Sequence, residues 1–322
     1  MTTPLLEVRN LTKHFGLRKG LFGRVNAHVR AVDGVSFAVA SGETLSLVGE
    51  SGCGKSTTGK TVLKLLQPDS GSIMFEGVDI TEFNAKRMAP VRRKLQIVFQ
   101  DPYSSINPRM TAGSYVGEPL KIHGLCRGRD WQSRVERLFE NVGLRPEHMR
   151  RYPHEFSGGQ RQRLAIARAL SLEPRLIVAD EAVSALDVSI QASIINLLAD
   201  LQQRFDFAYL FIAHDMGVVD HVSHRVAVMY LGKLVEVADR RTLFTAALHP
   251  YTQALLSAVP VPNPRLRRKR RTLLEGDVPS PIDPPPGCRF HTRCPLAEAR
   301  CKVEEPVLSE RAAGQLVACH LR

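Results

Sequence analysis

The chain has little that would place it in a membrane or send it through one. No apolar run approaches the roughly 18 to 20 residues that a spanning helix needs; the best are as short as LSLVG, LIVA and YLFIA. The opening residues, MTTPLLEVRN, show neither the basic start nor the apolar stretch of a secretory signal. These absences exclude a chain that moves anything across a bilayer by itself, and they predict a soluble, cytoplasmic protein. Internal repeats, long low-complexity tracts and sustained heptads are also missing, which argues against solenoids and long coiled coils. Cysteine is scarce, at six in 322 residues, yet Cys288, Cys294, Cys301 and Cys319 all fall near the C-terminal end. In a reducing compartment such a cluster suits metal ligands or free thiols better than disulfides.

What is present is ordinary for a globular protein: 43% hydrophobic and 24% charged residues. The length allows one large domain with a small appendage, or two domains. The formal charge is +12, with basic stretches KRMAPVRRK (86 to 94) and RLRRKRR (265 to 271). Such charge suits nucleic acid or an anionic membrane face, and equally a solvated linker or an edge touching a partner subunit.

Periodicity gives the architecture. VSFAV (35 to 39) alternates like a half-buried strand, and GSIMFEGVDI (71 to 80) reads as a strand followed by a turn. From about 104 to 170 the pattern is helical, as in WQSRVERLFENVGL. Strands return at RLIVAD (175 to 180), AYLFIAHD (208 to 215) and RVAVMYLG (225 to 232). Between the first two of these lies SIQASIINLLADLQ, with Ile190, Ile194, Leu197 and Leu201 on one predicted face. Strand, helix, strand at this spacing predicts an α/β fold with a parallel sheet covered by helices. Prolines and charge in VPVPNPRLRRKRR and PSPIDPPPG mark a boundary near 260. The expected organisation is a nucleotide-binding domain over 1–258, with a helical subdomain at about 101–170, and a C-terminal extension over 259–322.

GESGCGKST, Gly49 to Thr57, matches G-x-x-x-x-G-K-[ST] between an apolar strand, TLSLV, and a helix, TTGKTVLKLL. Glycines let successive backbone N–H groups turn toward phosphates, and the helix N-terminus adds its positive dipole end. Gly49, Ser51, Gly52, Cys53, Gly54, Lys55, Ser56 and Thr57 are therefore the expected phosphate cradle. Lys55 would reach the outer phosphates and the Ser56 hydroxyl would hold Mg²⁺. Cys53 occupies a variable position and reads as small packing. Such a loop alone suits a small kinase, a GTPase, a helicase-like motor or a transport ATPase.

RLIVADEA ends a strand in Asp180 and Glu181. A carboxylate there can make the second Mg²⁺ contact, and its neighbour can accept a proton from an attacking water. In EFSGGQRQRLAIARAL (155 to 170), Ser157, Gly158, Gly159 and Gln160 open a helix, a second anion grip about a hundred residues from the first.

At this point the sequence resembles the ABC transporter ATPases, whose signature is this motif. The resemblance covers roughly residues 5 to 240, with the motifs in order. It implies an ATP site shared between two nucleotide-binding domains, the signature of one closing over the phosphate loop of the other. It also implies roles for residues that spacing alone does not assign. Gln100 in QIVFQDPYSSINP would sense Mg²⁺ and water, and link to membrane subunits. Asp187 in SALD would lie at the dimer contact. His214 in FIAHD would fix the γ-phosphate and water, and Phe15 in LTKHFG would stack on adenine. Glu181, His214 and Gln100 are then the expected catalytic set, with ATP and Mg²⁺ bound. Two positions depart from the family: Ala182 stands where proline is usual, and Phe156 where leucine is common.

QDPYSSINPRMT, ADEAVSALDVSIQ, HPYTQALLSAVP and GCRFHTRCPLAEARC look like the ATPase subunits of dipeptide/oligopeptide importers, as does the insertion GLRKGLFGRVNAHVRAVDGVSF. That subfamily includes nickel and glutathione importers. The resemblance implies a second, different ATPase subunit, two transmembrane permeases and an extracytoplasmic binding protein, with the chain peripheral on the cytoplasmic membrane face. A soluble ABC ATPase working on ribosomes or DNA is the distant alternative; no nucleic-acid partner is expected. The four clustered cysteines follow C-x5-C-x6-C-x17-C, enough for a tetrahedral site. Spacing alone leaves zinc, an iron–sulfur cluster and free thiols open. The resemblance implies a [4Fe–4S] cluster, with Zn²⁺ the alternative and His291 and His320 near enough to substitute as ligands. Cys126 stands apart.

Overall fold

The computed structural model describes residues 3–19, 24–101, 106–259 and 276–322. The basic run 265–271, the prolines at 260, 262 and 264 before it, and Pro102 to Ser105 of the QDPYSSINP stretch lie outside the described residues. In chain order the first elements are β1 (Leu6–Lys19), β2 (Arg24–Val39), β3 (Thr44–Val48), α1 (Lys55–Val62), β4 (Ser70–Phe75) and β5 (Val78–Asp79). There follow α2 (Ala85–Lys94), β6 (Leu95–Val98), α3 (Ala112–Ile122), α4 (Gly128–Asn141), α5 (Gly158–Leu170), β7 (Leu176–Asp180), α6 (Val188–Phe205) and β8 (Ala208–Ala213). The last are α7 (Met216–Val222), β9 (Arg225–Tyr230), β10 (Lys233–Asp239), α8 (Arg240–Ala246), α9 (Pro250–Ser257), β11 (Ser309–Ala312) and β12 (Gln315–Val317). The chain forms two compact units: one from 1–39, 44–82 and 213–322, the other from 40–43 and 83–212.

The first unit holds an antiparallel sheet in the order β2-β1-β4-β5. Of the stretch that reads as a basic insertion, 16–19 belong to β1 and 24–37 to β2, while 20–23 lie outside the described residues. β1 and β2 pair from Leu6↔Val39 out to Lys19↔Arg24, with register shifts between Val8 and Leu11 and between Lys13 and His14. Each bulge turns the strand slightly, so one long pair can cover a curved core. The unit also carries β3 parallel to β9, then β10 antiparallel to β9, β12 antiparallel to β10, and β11 antiparallel to β12. β3 is buried along its whole length, as a strand covered on both faces must be.

The C-terminal extension is seated in this unit. Phe290 is buried among Tyr230, Tyr251 and His249, with ring centroids 5.3, 5.4 and 5.7 Å away. Glu236, fully buried on β10, accepts hydrogen bonds from the Leu248 and His249 backbone N–H groups at 2.8 and 3.0 Å. It also accepts one from Gln315 Nε2 at 2.8 Å, which ties β12 to the turn before α9.

In the second unit β6, β7 and β8 are parallel, the arrangement that the strand–helix alternation predicts. The α6 stripe is turned by one position from its predicted face. Ile194, Leu198 and Leu201 are buried, whereas Ile190 and Leu197 are half-buried. The segment that reads as helical from about 104 begins its helices at Ala112, with 106–111 in bends and turns, and α3, α4 and α5 pack on one another around Val116, Val135, Phe139 and Leu164. Arg168 joins two of them, donating to the Tyr115 carbonyl at 2.5 Å and pairing with Glu118 at 2.7 Å. The basic run 86–94 is an exposed helix face anchored by Met88 alone, with the Arg87 guanidinium 3.9 Å over the Phe83 ring. Among the described residues no helix is long and apolar enough to cross a membrane.

Candidate functional site

The phosphate-loop motif of the first unit runs from the end of β3 into α1. Gly54 caps α1 with φ at 109°, a left-handed conformation that favours glycine. A Cβ there would lie 1.9 Å from the Ala31 carbonyl oxygen, so the loop closes only without one. Lys55 is 4% exposed, and its Nζ donates to the Gly49 and Glu50 carbonyls at 2.8 and 3.0 Å. Ser56 and Thr57 are half-buried at the helix start, while Ser51 and Gly52 are exposed. Cys53 is buried, and burial raises its thiol pKa against the lowering pull of Lys55, so it is a packing residue. An inward-turned loop, a buried lysine and the N-terminus of a helix make a cradle that fits a polyphosphate.

The same unit holds Phe15 and His214. Phe15 is exposed on β1, with Lys13 Nζ 5.7 Å from its ring centroid. His214 is exposed just before α7, whose cap Asp215 accepts from the Gly217 N–H at 2.7 Å.

In the second unit the structure brings two predicted residues together. Gln100 Nε2 donates to Glu181 Oε2 at 2.8 Å. Asp180, the last residue of β7, is buried. Glu181 has φ of 49°, unusual for a residue with a side chain. Its N–H donates to the Ile212 carbonyl at 3.0 Å, and its carbonyl accepts from the Ser184 N–H at 3.1 Å. The turn therefore holds the carboxylate on β7's carboxyl end and against the Gln100 amide.

Ser157 caps α5 in a reciprocal box. Its hydroxyl accepts the Gln160 N–H at 3.3 Å, and Gln160 Oε1 accepts the Ser157 N–H at 3.0 Å. Gly158 is exposed and Gly159 buried. A Cβ at Gly159 would stand 2.6 Å from Ile190 Cγ2, so any side chain there would have to displace Ile190. Asp187 stands at the N-terminal end of α6 with an exposed side chain that makes no capping hydrogen bond. The two departures from the family pattern are buried packing positions: Ala182, and Phe156, whose ring meets His148 edge-on at 5.9 Å.

The four C-terminal cysteines correct an expectation. They feel one another: Cys288 is pushed up to about 11 by burial first, with Cys301, Cys294 and Cys319 adding to the rise. Burial likewise raises Cys294. Among the described residues no group of three or more His, Cys, Asp or Glu side chains could hold a metal ion. The [4Fe–4S] cluster expected at Cys288, Cys294, Cys301 and Cys319, and its zinc alternative, are therefore not supported, and the cysteines stand as free thiols. His291 Nδ1 and His320 Nε2 face the Cys288 and Glu304 carbonyls at 2.8 Å each. Aromatic packing and arginine contacts hold the extension instead.

Sequence reasoning missed Glu50, Tyr251 and Arg293, which meet at the phosphate loop. Glu50 fills a variable motif position, and its partners lie 201 and 243 residues away. No local signal connects them.

Residues 32–184 match the family described as "ABC transporter", and residues 235–301 match "Oligopeptide/dipeptide transporter, C-terminal region". The chain is 54% identical to the oligopeptide transport ATP-binding protein AppF of Bacillus subtilis, over 98% of this chain and 97% of that one. It is 53% identical to the probable peptide ABC transporter ATP-binding protein y4tS of Sinorhizobium fredii, over 100% and 91%. The glutathione import ATP-binding protein GsiA of Salmonella typhi is 57% identical over 87% of this chain, which spans 45% of that protein. Among solved structures, the ATP-binding cassette MJ0796 in a dimeric post-hydrolysis state with ADP and Pi aligns with a TM-score of 0.65. It has 27% identity and covers 73% of this chain and 99% of its own.

Proposed function

The chain belongs to the ATP-binding proteins of ABC transporters, and from that premise we propose that it energises the import of di- and oligopeptides. Membership makes it an ATPase that works with membrane permeases. The observation that carries the peptide reading is the match of residues 235–301 to the C-terminal region of oligopeptide and dipeptide transporters. Glutathione, itself a short peptide, is the second reading, favoured by the 57% identity to GsiA over 279 residues.

The proposed division of labour follows the chain's own chemistry. Gly49 to Thr57 hold the ATP phosphates, with Lys55 as the fixed cation, and Phe15 receives the adenine. The Ser56 hydroxyl and the Asp180 carboxylate would each be a ligand for Mg²⁺, which would supply neutralisation of phosphate charge. Glu181 accepts the proton of the attacking water at its carboxylate, with the Gln100 amide orienting that carboxylate through the 2.8 Å hydrogen bond. His214 fixes the water's line of attack. Ser157, Gly158, Gly159 and Gln160 grip the γ-phosphate held by a second ATPase subunit, with Asp187 at the contact between the two. The full assembly pairs this chain with a different ATPase, two permeases and an external binding protein, on the cytoplasmic face of the membrane. Residues 1–258 form the nucleotide-binding domain, with a helical subdomain at about 101–170, and 259–322 form the extension.

Proteoliposomes carrying the permeases, both ATPases and the binding protein test the cargo. Tri- to pentapeptide uptake that requires ATP and is little affected by excess glutathione is the expected outcome. Uptake of glutathione with no peptide competition would move the chain to the second reading.

A further inference from the structure

Glu50, the second residue of the phosphate-loop motif, is held from the C-terminal part of the chain by two independent contacts. Arg293 donates Nη1 to Glu50 Oε2 at 2.7 Å and Nη2 to Oε1 at 3.1 Å, a two-pronged pair. The arginine side chain is 7% exposed and the glutamate 27%. The Glu50 backbone N–H donates to the Tyr251 hydroxyl at 2.8 Å, and Tyr251 is itself fully buried beside Phe290 and Tyr230. Arg293 does not hang free on its loop. Four residues earlier, Arg289 donates to the Leu231 carbonyl and to Asp33. The segment 289–293 is thus bolted at Asp33 and Leu231 before it reaches Glu50.

The position matters because Lys55 Nζ bonds to the carbonyls of Gly49 and Glu50. Whatever fixes Glu50 fixes the peptide groups on which that lysine rests. Charge matters as well. A carboxylate inside a loop built to receive anions opposes them unless it is neutralised, and a part-buried bidentate guanidinium does so with fixed geometry. The carboxylate's pull raises the Arg293 pKa, so the cation persists at any working pH.

We propose that residues 289–293 are a brace on the phosphate loop, with Arg293 the positioning residue that neutralises Glu50 and holds it in the shape that accepts nucleotide phosphates. The inference rests on the reading of Gly49–Thr57 as an ATP site. The extension thereby becomes part of how the loop binds nucleotide, although it never touches the substrate.

The test uses the full-length chain and its complex, with MgATP as the probe. Binding is measured by equilibrium dialysis and ATPase kinetics in the reconstituted complex, on variants whose melting curves match the parent. Arg293→Ala should raise Kd and KM for MgATP by about tenfold while kcat at saturation stays within about twofold. Glu50→Gln removes the charge that needs neutralising, so the double variant Arg293→Ala/Glu50→Gln should recover most of the lost affinity. A residue that only stabilised the fold would lower the active fraction, and so kcat, without that rescue. If Arg293→Ala does not fold, Arg293→Lys keeps the charge without the fork and should raise Kd by about threefold. Binding by folded Arg293 variants within error of the parent, or a double variant no better than Arg293→Ala, overturns the brace. A parent chain that fails to bind MgATP overturns the site itself, which separates the two failures.

Discussion

Glu181 stands in a backbone region that side chains usually avoid, and strain of that kind costs on the order of 1–3 kcal/mol. The hydrogen bonds to Ile212, Ser184 and Gln100 offset it. The turn presents one carboxylate just past the end of β7. Glu181→Gln should lower ATP turnover by roughly a hundredfold or more while MgATP affinity stays near the parent value; turnover close to the parent would remove the residue from its role as base. His249 gives a second residue-scale expectation. Buried and accepting the Tyr251 N–H at 3.1 Å through Nδ1, it is pushed down to about 3 by burial. Above about pH 6.5 it is neutral in both folded and unfolded chains, and it costs nothing. Below that the unfolded chain takes a proton that the native state refuses. The native state then loses about 1.4 kcal/mol per pH unit until about pH 3. Urea midpoints at pH 7 and pH 5 should show the parent losing about 2 kcal/mol more than His249→Asn. Lys55, Ser56, Asp180 and Ser157 were legible in the sequence because phosphate chemistry demands those groups at those spacings. Gln100 and His214 needed the family pattern, since a lone glutamine or histidine at a strand end has many uses.

Among the elements, the buried strands β7, β8 and β9 were readable because continuous apolar runs have few other homes. Of the long β1–β2 pair only VSFAV at the end of β2 was readable, because bulges elsewhere break the two-residue alternation that marks a strand. β5 with two residues, and the largely exposed β11, carry no pattern of their own and exist because a neighbour offers its edge. β12 is held more specifically, through the Glu236–Gln315 hydrogen bond. Glu236→Ala would take the acceptor from the Leu248 and His249 backbone N–H groups and from one of the two Gln315 amide protons, whose Nε2 keeps its bond to the Ala246 carbonyl at 3.1 Å. Each buried donor left without a partner costs about 1–3 kcal/mol, so an overall loss of about 3 kcal/mol or more is expected. Hydrogen exchange should localise the damage to residues 246–250 and 315–317. Protection unchanged there would show that β12 is held by its ladder alone.

For the whole molecule, composition spoke to class and motif spacing to chemistry, but neither spoke to which stretches condense together. One compact unit draws on 1–39, 44–82 and 213–322, with the other unit's 83–212 lying between them in sequence. Proline and charge near residue 260 mark a change of composition, yet Phe290, Arg289, Arg293 and Val317 all lodge with the unit that holds the phosphate loop. The interleaving gives the fold a timetable. A ribosome delivers the phosphate loop early and its last strand, β12, more than two hundred residues later; at ordinary elongation rates of roughly 5–20 residues per second that is a wait of tens of seconds. During the wait β3 lacks β9, its parallel neighbour within the unit, and Glu50 lacks its arginine. The nucleotide site of this chain is thus among the first parts to be synthesised and among the last to be finished, and a chain cut short would carry the motif without the pocket.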